Sequence, residues 1–266
     1  MEKLFDSHAH YYDARFESEL GGADALLCSL FEGEVGGIVN VGTDLENMHT
    51  VVNAASRYEK MYAAVGIHPS DGQAYRDIDA AVATLRAFLA DAESRRARKI
   101  VALGEIGLDY HYEDTDKAHQ LAMFEAQLSL AEELDMPVIV HDREAHGDCF
   151  DAICRHPRVR GVFHSYSGSA EMACDLVRRG WYLSFSGVVT FKNAPRVREA
   201  VAAVPLDRLL IETDCPYLTP HPHRGKLNHS GYMRYTAEAV AEVKGIDVDS
   251  LIRASADAAK TLFCIA

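Results

Sequence analysis

Eight short runs of apolar residues, separated by longer amphipathic segments, constrain the fold of this chain more than any other feature of its sequence. The runs are almost continuously apolar, which is typical of parallel strands covered by helices. Eight strands alternating with helices predict an α/β fold, the (β/α)8 TIM barrel, and no linker divides the chain, so we expect a single domain over residues 1–266. The predicted strands cover residues 4–6, 37–42, 61–67, 100–105, 137–141, 161–164, 181–186 and 209–214.

The amphipathic segments between these runs predict the helices that cover the strands. After the fourth run, apolar side chains recur with the 3.6-residue period of a helix, at Leu121, Phe124, Leu128, Ala131 and Leu134. Further helices are expected at about residues 19–32, 45–58, 79–96, 230–244 and 248–263.

The charge balance narrows the class of function. The 266 residues include 27 Lys and Arg against 40 Asp and Glu, which gives a formal net charge of −13. An acidic surface repels phosphate backbones at long range, which disfavours a protein that coats DNA without specificity. An enzyme with a small phosphate site neutralised by metal remains compatible with this charge.

Cysteine spacing and the apolar runs bear on the compartment. The six cysteines show no CxxC spacing and are expected to be reduced thiols. The first residues lack the pattern of a signal peptide, and no run approaches the ~18 apolar residues of a membrane span. We therefore expect a cytoplasmic protein with no membrane association.

Histidines and carboxylates stand where the predicted strands end. The first strand leads into His8 and His10, a pair that can direct both imidazoles into the mouth of a barrel. One such residue alone is readily an exposed loop residue, but a whole set at the active-site ends of the strands indicates a site. Imidazoles and carboxylates bind divalent metal ions, and a carboxylate can bridge two of them. The later strand-end residues are His68, Glu105, His141, His164, Glu212 and Asp214.

Six motifs then give the chain a family resemblance. They are Asp-Ser-His-Ala-His (6–10), Gly-Glu-Ile-Gly-Leu-Asp-Tyr (104–110), Val-Ile-Val-His (138–141), Phe-His-Ser-Tyr-Ser-Gly (163–168), Glu-Thr-Asp-Cys-Pro-Tyr-Leu (212–218) and Arg-Gly-Lys-Leu-Asn (224–228). With these motifs in order from residue 4 to about 245, the chain resembles the TatD-type metal-dependent deoxyribonucleases of the amidohydrolase-like barrels. The resemblance implies a metal-dependent hydrolase of DNA phosphodiesters, typically a 3′–5′ exonuclease, with a single-stranded end as substrate.

The resemblance also implies a site with two divalent metal ions. The nitrogen-rich ligand set favours Zn²⁺, whereas Mg²⁺ or Mn²⁺ commonly supports activity in the family. The implied ligands are His8, His10 and Asp214 for one ion, His141 and His164 for the second, and Glu105 as the bridge.

Roles in the reaction follow from the same resemblance. A hydroxide bound by both metals is expected to attack phosphorus, with Glu105 and Asp214 as catalytic residues and Asp214 accepting the proton of the water. Glu212 is expected to support a ligand instead of binding metal. The expected substrate-binding residues are His68, Arg224, Lys226 and Asn228.

The chain departs from the family pattern at three places, which bear on the fit of substrate. In the family a second histidine often follows the His-Pro pair, whereas this chain has Ser70 after His68 and Pro69. After Asn228 the family commonly has Glu or Asn and then Pro, whereas residues 229–231 of this chain are His-Ser-Gly. In the last helix, Ala258 stands where the family usually has an Asn.

Three functions remain open from the sequence. Besides the nuclease, they are hydrolysis of a small-molecule amide or ester or of a D-aminoacyl-tRNA ester, and a degenerate barrel that serves as an interaction partner. The acidic surface favours a small-molecule substrate. No lysine that could be carboxylated ends a strand, and Glu105 takes that place, which favours the nuclease.

Overall fold

The computed structural model describes residues 2–265. The strands form one sheet whose order follows the chain from β1 to β8, and the pairs β1–β2, β3–β4, β4–β5, β5–β6 and β7–β8 are parallel. Eight strands in chain order, alternating with helices, confirm the predicted (β/α)8 TIM-barrel class. The strands are β1 (Leu4–Ala9), β2 (Val35–Val41), β3 (Met61–Val65), β4 (Ile100–Asp109), β5 (Val138–Arg143), β6 (Gly161–Phe163), β7 (Tyr182–Phe185) and β8 (Leu209–Ile211).

Within residues 2–265, twelve α-helices lie between and after the strands. Short 3-10 turns add to them at Gly187–Thr190, Leu206–Arg208 and Ser230–Tyr232. The helices are α1 (Ala14–Leu20), α2 (Asp24–Glu32), α3 (Met48–Arg57), α4 (Pro69–Gly72), α5 (Ile78–Leu89), α6 (Ala92–Ala97), α7 (Lys117–Leu134), α8 (His146–Arg155), α9 (Ala170–Arg178), α10 (Pro195–Ala203), α11 (Met233–Lys244) and α12 (Val248–Phe263).

Two of the predicted helices are each divided in two. The prediction over residues 19–32 was wrong in extent because Gly21, at a φ of 69°, ends α1 in the left-handed conformation, and α2 begins only at Asp24. The prediction over 79–96 is divided because the side chain of Asp91 accepts the N–H of Glu93 and starts a new helix, α6.

The chain divides into two compact units, of which unit 1 comprises Met1–Asn40 and His164–Ala266. In unit 1, α12 packs against β1 and β8 and buries an apolar face that includes Leu251, Ile252 and Leu262. An isolated bridge joins Ala9, the last residue of β1, to Cys215. The segment after β8 therefore runs beside the end of β1.

Unit 2 comprises Val41–Phe163. Its strands β3 to β6 pair in order, and α7 packs against β4. Gly107 of β4 has a φ of 140°, and a Cβ at this position would lie 2.0 Å from the carbonyl oxygen of His141. Only glycine therefore allows β4 to approach β5 where both strands present their polar side chains.

The structure tests neither the predicted compartment nor the predicted domain count, although two observations bear on the compartment. Among residues 2–265, no helix combines the length and the hydropathy that crossing a membrane requires. All six cysteines carry free thiols. The cytoplasmic location and the single domain over residues 1–266 stay predictions.

Candidate metal centre

His8 and His10 lie side by side at the end of β1. Alternate residues of a strand point to the same face, so the His-x-His spacing brings both imidazoles together. Both residues are buried, and Nε2 of His8 lies 3.1 Å from Nε2 of His10. Two buried ring nitrogens at this distance share a proton or bind a common cation, as two ligands of one metal ion do.

Asp214 supplies a carboxylate to this pair. Its Oδ1 lies 3.3 Å from Nε2 of His10 and 3.8 Å from Nε2 of His8. The backbone fixes the approach, because the N–H of Asp214 donates to the carbonyl of His8 at 3.0 Å and the N–H of His10 donates to that of Cys215 at 2.8 Å. Burial raises the pKa of Asp214, but its hydrogen bond with His10 and the nearby imidazoles outweigh burial and hold the pKa below its ordinary value. Asp214 is therefore ionised at neutral pH.

His164 joins the same group from the end of β6. Its ring stacks on that of His8, with centroids 4.0 Å apart and planes 12° apart. One donor atom from each of His8, His164 and Asp214 lies within 4.8 Å of the others. His164, predicted to share an ion with His141, is thus grouped within unit 1 with ligands predicted for the other ion.

Glu212 lies behind His164 and is fully buried. Its Oε1 accepts the N–H of Ser165 at 2.9 Å and lies 3.3 Å from Nδ1 of His164. A carboxylate bound to one ring nitrogen fixes the imidazole and leaves the other nitrogen for a metal ion. This is the geometry of a residue that orients a ligand.

Asp6 is a buried carboxyl group whose part in this region the sequence reasoning missed. Its Oδ2 accepts hydrogen bonds from Oγ1 of Thr213 at 2.6 Å and from Oγ of Ser230 at 2.7 Å. Burial raises the pKa of Asp6 to about 7, against the lowering effect of these hydrogen bonds. Asp6 thus joins β1 to the segment after β8. The Asp of the first motif was the available signal, but it does not distinguish a bracing carboxyl from a ligand.

In unit 2, Glu105 of β4 lies between two histidines. Its Oε1 is 2.8 Å from Nδ1 of His141 and 3.6 Å from Nε2 of His68. One donor atom from each of these three residues lies within 4.8 Å of the others. Nδ1 of His68 accepts the N–H of Ser70 at the start of α4, so its proton stands on Nε2 in the neutral ring. His68, predicted to contact substrate, thus lies beside this group with a protonated Nε2, and it could bind metal there only if this proton moved to Nδ1 and the hydrogen bond from Ser70 were lost.

Asp109 is a second residue that the sequence reasoning missed. It lies four residues after Glu105, and side chains two or four apart on a strand point to the same face. Its Oδ2 is 3.2 Å from Nε2 of His141. Burial raises the pKa of Asp109, but the hydrogen bond and charge of His141 outweigh it, so the pKa is lowered. Both ring nitrogens of His141 thus face carboxylates.

The loop after β8 holds the remaining predicted residues. The guanidinium of Arg224 lies 4.1 Å from the ring centroid of Phe191 and donates to the carbonyl of Thr219 at 3.2 Å. Lys226 is exposed. Asn228 is fully buried, and its Nδ2 donates to the carbonyls of Thr213 at 3.0 Å and Tyr217 at 2.6 Å. The amide of Asn228 therefore braces the loop from inside.

Two donor groups that each lie within one unit fit divalent metal ions on the chemistry of their atoms. Each combines two imidazoles with one carboxylate, a mixed nitrogen and oxygen set that suits Zn²⁺ and also accepts harder ions such as Mn²⁺. The groups are His8, His164 and Asp214 in unit 1, and His68, Glu105 and His141 in unit 2.

The sequence is similar to that of known proteins over nearly its whole length. The family described as TatD related DNase matches residues 5–264. The chain is 38% identical over 264 residues to YabD of Bacillus subtilis strain 168, an uncharacterized metal-dependent hydrolase, and the match covers 98% of this chain and 99% of YabD. It is 37% identical over 265 residues to YcfH of Escherichia coli K12, also named an uncharacterized metal-dependent hydrolase, covering 98% and 96%.

One solved structure resembles the fold of this chain over nearly its whole length. The crystal structure of YjjV, a TatD homolog from Escherichia coli K12, matches with a TM-score of 0.87 and 31% sequence identity. The match covers 99% of this chain and 98% of YjjV. This likeness agrees with the (β/α)8 class seen in the strand order.

Proposed function

We propose, from the premise that the chain belongs to the TatD related DNase family, that it hydrolyses DNA phosphodiester bonds as a 3′–5′ exodeoxyribonuclease on single-stranded ends. Membership makes the chain a metal-dependent hydrolase, since relatives with that name share more than a third of its residues over nearly its whole length. The family description supports DNA as the substrate, and the direction of digestion follows the activity typical of the family that the sequence resembles.

The observation that carries this proposal is the pair of histidine and carboxylate groups near the strand ends, one in each unit. We propose that each group holds one divalent ion, Mg²⁺, Mn²⁺ or Zn²⁺, and that Glu105 has the bridging role implied by the sequence. The carboxyl ends of the strands are the active-site face of a (β/α)8 barrel, which supports a catalytic role for each group. Bound ions would neutralise phosphate charge and increase the acidity of water. The proposed ligands are His8, His10, His164 and Asp214 for one ion, and Glu105 and His141 for the other, with His68 beside them as a proposed substrate contact.

The residues of the chain itself would hold the reactants and move the proton. Asp214, kept ionised by its histidine neighbours, is proposed to accept the proton of the attacking water. Glu212 keeps the ring of His164 in place. Arg224 and Lys226 are proposed to bind phosphate, and Asn228 holds the loop that carries them.

A second candidate function is hydrolysis of a small-molecule amide or ester, or of a D-aminoacyl-tRNA ester. The formal net charge of −13 supports a substrate with few phosphates, since an acidic surface repels a long polyanion. The same two donor groups would then polarise a carbonyl instead of a phosphate.

Digestion of end-labelled oligonucleotides tests the proposal. Single-stranded DNA and RNA are incubated with Mg²⁺, Mn²⁺ or Zn²⁺, and with a chelator. We expect 5′-labelled DNA to shorten in steps and 3′-labelled DNA to release labelled mononucleotide at once, with both reactions absent in chelator. Hydrolysis of carbonyl esters or of D-aminoacyl-tRNA, together with intact DNA under every metal condition, would replace the nuclease by the second candidate.

A further inference from the structure

A cleft of about 270 Å³ lies in unit 1, between α1 and the loop after β8. None of the residues that line it belongs to a candidate metal group. The lining residues are Arg15, Glu19, Pro216, Leu218, Thr219, Arg224, Gly225, Lys226 and Leu227.

The cleft is locally cationic in a strongly acidic protein. Its lining has three cationic side chains, Arg15, Arg224 and Lys226, against the single carboxylate of Glu19, whereas the chain has 27 basic and 40 acidic residues. Arg15 is paired with Asp13, at 3.1 Å. Across residues 2–265, no carboxylate forms an ion pair with Arg224 or Lys226. Two cations in the cleft therefore remain available to an anion.

The loop fixes the guanidinium of Arg224 and the backbone that carries Lys226. Oγ1 of Thr219 donates to the carbonyl of Lys226 at 2.6 Å, while Arg224 donates to the carbonyl of Thr219 at 3.2 Å. Gly225 between them has a φ of 85°, which forms the tight turn. A site ordered before binding loses less conformational entropy when it binds a ligand.

Tyr217 connects the cleft with the metal ligands of unit 1. The residue is 47% exposed, and its ring lies edge-on to His10 with centroids 6.5 Å apart. The guanidinium of Arg15 lies 4.0 Å from the centroid of the same ring. Pro216 and Leu218, the neighbours of Tyr217, line the cleft. A chain molecule bound at His10 can therefore extend across Tyr217 into the cleft.

We propose that this cationic cleft binds a phosphate of the DNA strand next to the phosphodiester that is cleaved. The proposal rests on the nuclease function above and refines it, since Arg224 and Lys226 then bind a neighbouring phosphate and not the reacting one. A binding site for a second phosphate selects polynucleotides over isolated phosphodiesters, and it explains how an acidic protein retains a polyanion.

The test removes the two unpaired cations and compares long with short substrates. The double variant Arg224→Gln with Lys226→Gln is matched by Arg196→Gln with Lys260→Gln, which makes the same change of charge on exposed residues of α10 and α12. Binding of a fluorescent single-stranded oligonucleotide is measured by anisotropy in chelator. We expect the cleft variant to bind about tenfold more weakly than the control, with a salt slope smaller by about 0.7, the value for one neutralised phosphate of a single strand.

Kinetics with added metal complete the test. For the cleft variant we expect a higher KM on the oligonucleotide, with a loss of kcat/KM about tenfold larger than its loss on bis(p-nitrophenyl) phosphate, which has a single phosphate. Equal loss on both substrates would overturn the proposal, because the loop would then act on the reacting phosphate. Unchanged binding relative to the control would overturn it as well.

Two further results distinguish the cleft proposal from the nuclease function on which it rests, and from a site that binds free inorganic phosphate. Inorganic phosphate should displace the oligonucleotide far less well than unlabelled oligonucleotide does, and equal displacement would overturn the assignment to a strand. If the wild-type protein binds the oligonucleotide through the cleft but cleaves no nucleic acid with any metal, the nuclease function fails. If the wild type cleaves DNA and the cleft variant matches the control, the cleft proposal fails alone.

Discussion

Oε1 of Glu212 lies 3.3 Å from Nδ1 of His164, on the side of the ring away from the nitrogen that would bind metal. Removing such a partner typically costs about 10–100-fold in metal affinity or activity, because the imidazole becomes less basic and less ordered. We expect Glu212→Ala to weaken metal binding by this factor, measured by competition with a chromogenic chelator. Glu199→Ala, an exposed change on α10, is the control. Equal affinity in both variants would exclude this role of Glu212.

Glu105 is the carboxylate between His141 and His68, at 2.8 and 3.6 Å. Since loss of a partner behind a ligand already costs about 10–100-fold, loss of the carboxylate that faces both imidazoles should cost at least about 100-fold in kcat/KM. Glu105→Ala is assayed on DNA at saturating metal, with the exposed Glu113→Ala as control. Activity of Glu105→Ala within twofold of that control would contradict the proposed site.

The sequence was sufficient for those parts of the site that depend on strand order. A parallel sheet in chain order puts the end of each strand on one face, independently of the conformation of the loops. For this reason the sequence alone could predict four residues of the candidate site, which are His8, Glu105, His141 and Asp214. The grouping of these residues could not be found, because it depends on distances between strands that are far apart in sequence. The bracing role of Asp6 could not be predicted either, because its partners Thr213 and Ser230 lie more than two hundred residues away in the sequence.

The loop after β8 shows a second limit of the sequence. Arg224, Lys226 and Asn228 were predicted together as substrate contacts because they are polar and close in sequence. The structure separates them, because the Nδ2 of Asn228 donates to two carbonyls inside the loop while Lys226 is exposed. In an irregular loop, the direction in which a side chain points depends on local hydrogen bonds. These bonds do not recur at a regular spacing in the sequence, so the sequence does not predict them.

Ser230 offers a prediction for stability, because its hydroxyl completes a buried network. Oγ of Ser230 donates to Oδ2 of Asp6 at 2.7 Å and lies 2.7 Å from the hydroxyl of Tyr11. Ser230→Ala leaves a buried carboxyl with one partner fewer, so we expect the free energy of unfolding to fall by about 1–3 kcal/mol. Urea denaturation measures this loss, with the exposed Ser250→Ala as the control. Equal midpoints for the two variants would show that the network contributes nothing to stability.

His229 makes stability depend on pH. Burial, and then the charge of His223, lower the pKa of His229 from 6.5 to about 4. Its Nδ1 accepts the N–H of Gly231 at 3.2 Å, and its ring lies 4.0 Å from that of Tyr232, so the folded protein favours the neutral imidazole. Between pH 6.5 and 4 the unfolded chain binds more protons at this residue than the folded protein does. The stability that His229 contributes is therefore complete above pH 6.5 and is lost as the pH falls towards 4.

His229→Asn isolates this effect, because asparagine retains an acceptor at the start of the 3-10 turn but does not titrate. Free energies of unfolding are measured in chelator from pH 7.5 to 4, so that metal binding does not contribute. We expect the wild type to lose more stability than the variant over this range, by at most about 3 kcal/mol, since one pKa unit corresponds to about 1.4 kcal/mol and the ring is partly exposed. Parallel pH profiles for the two proteins would mean that His229 keeps its ordinary pKa in the folded state.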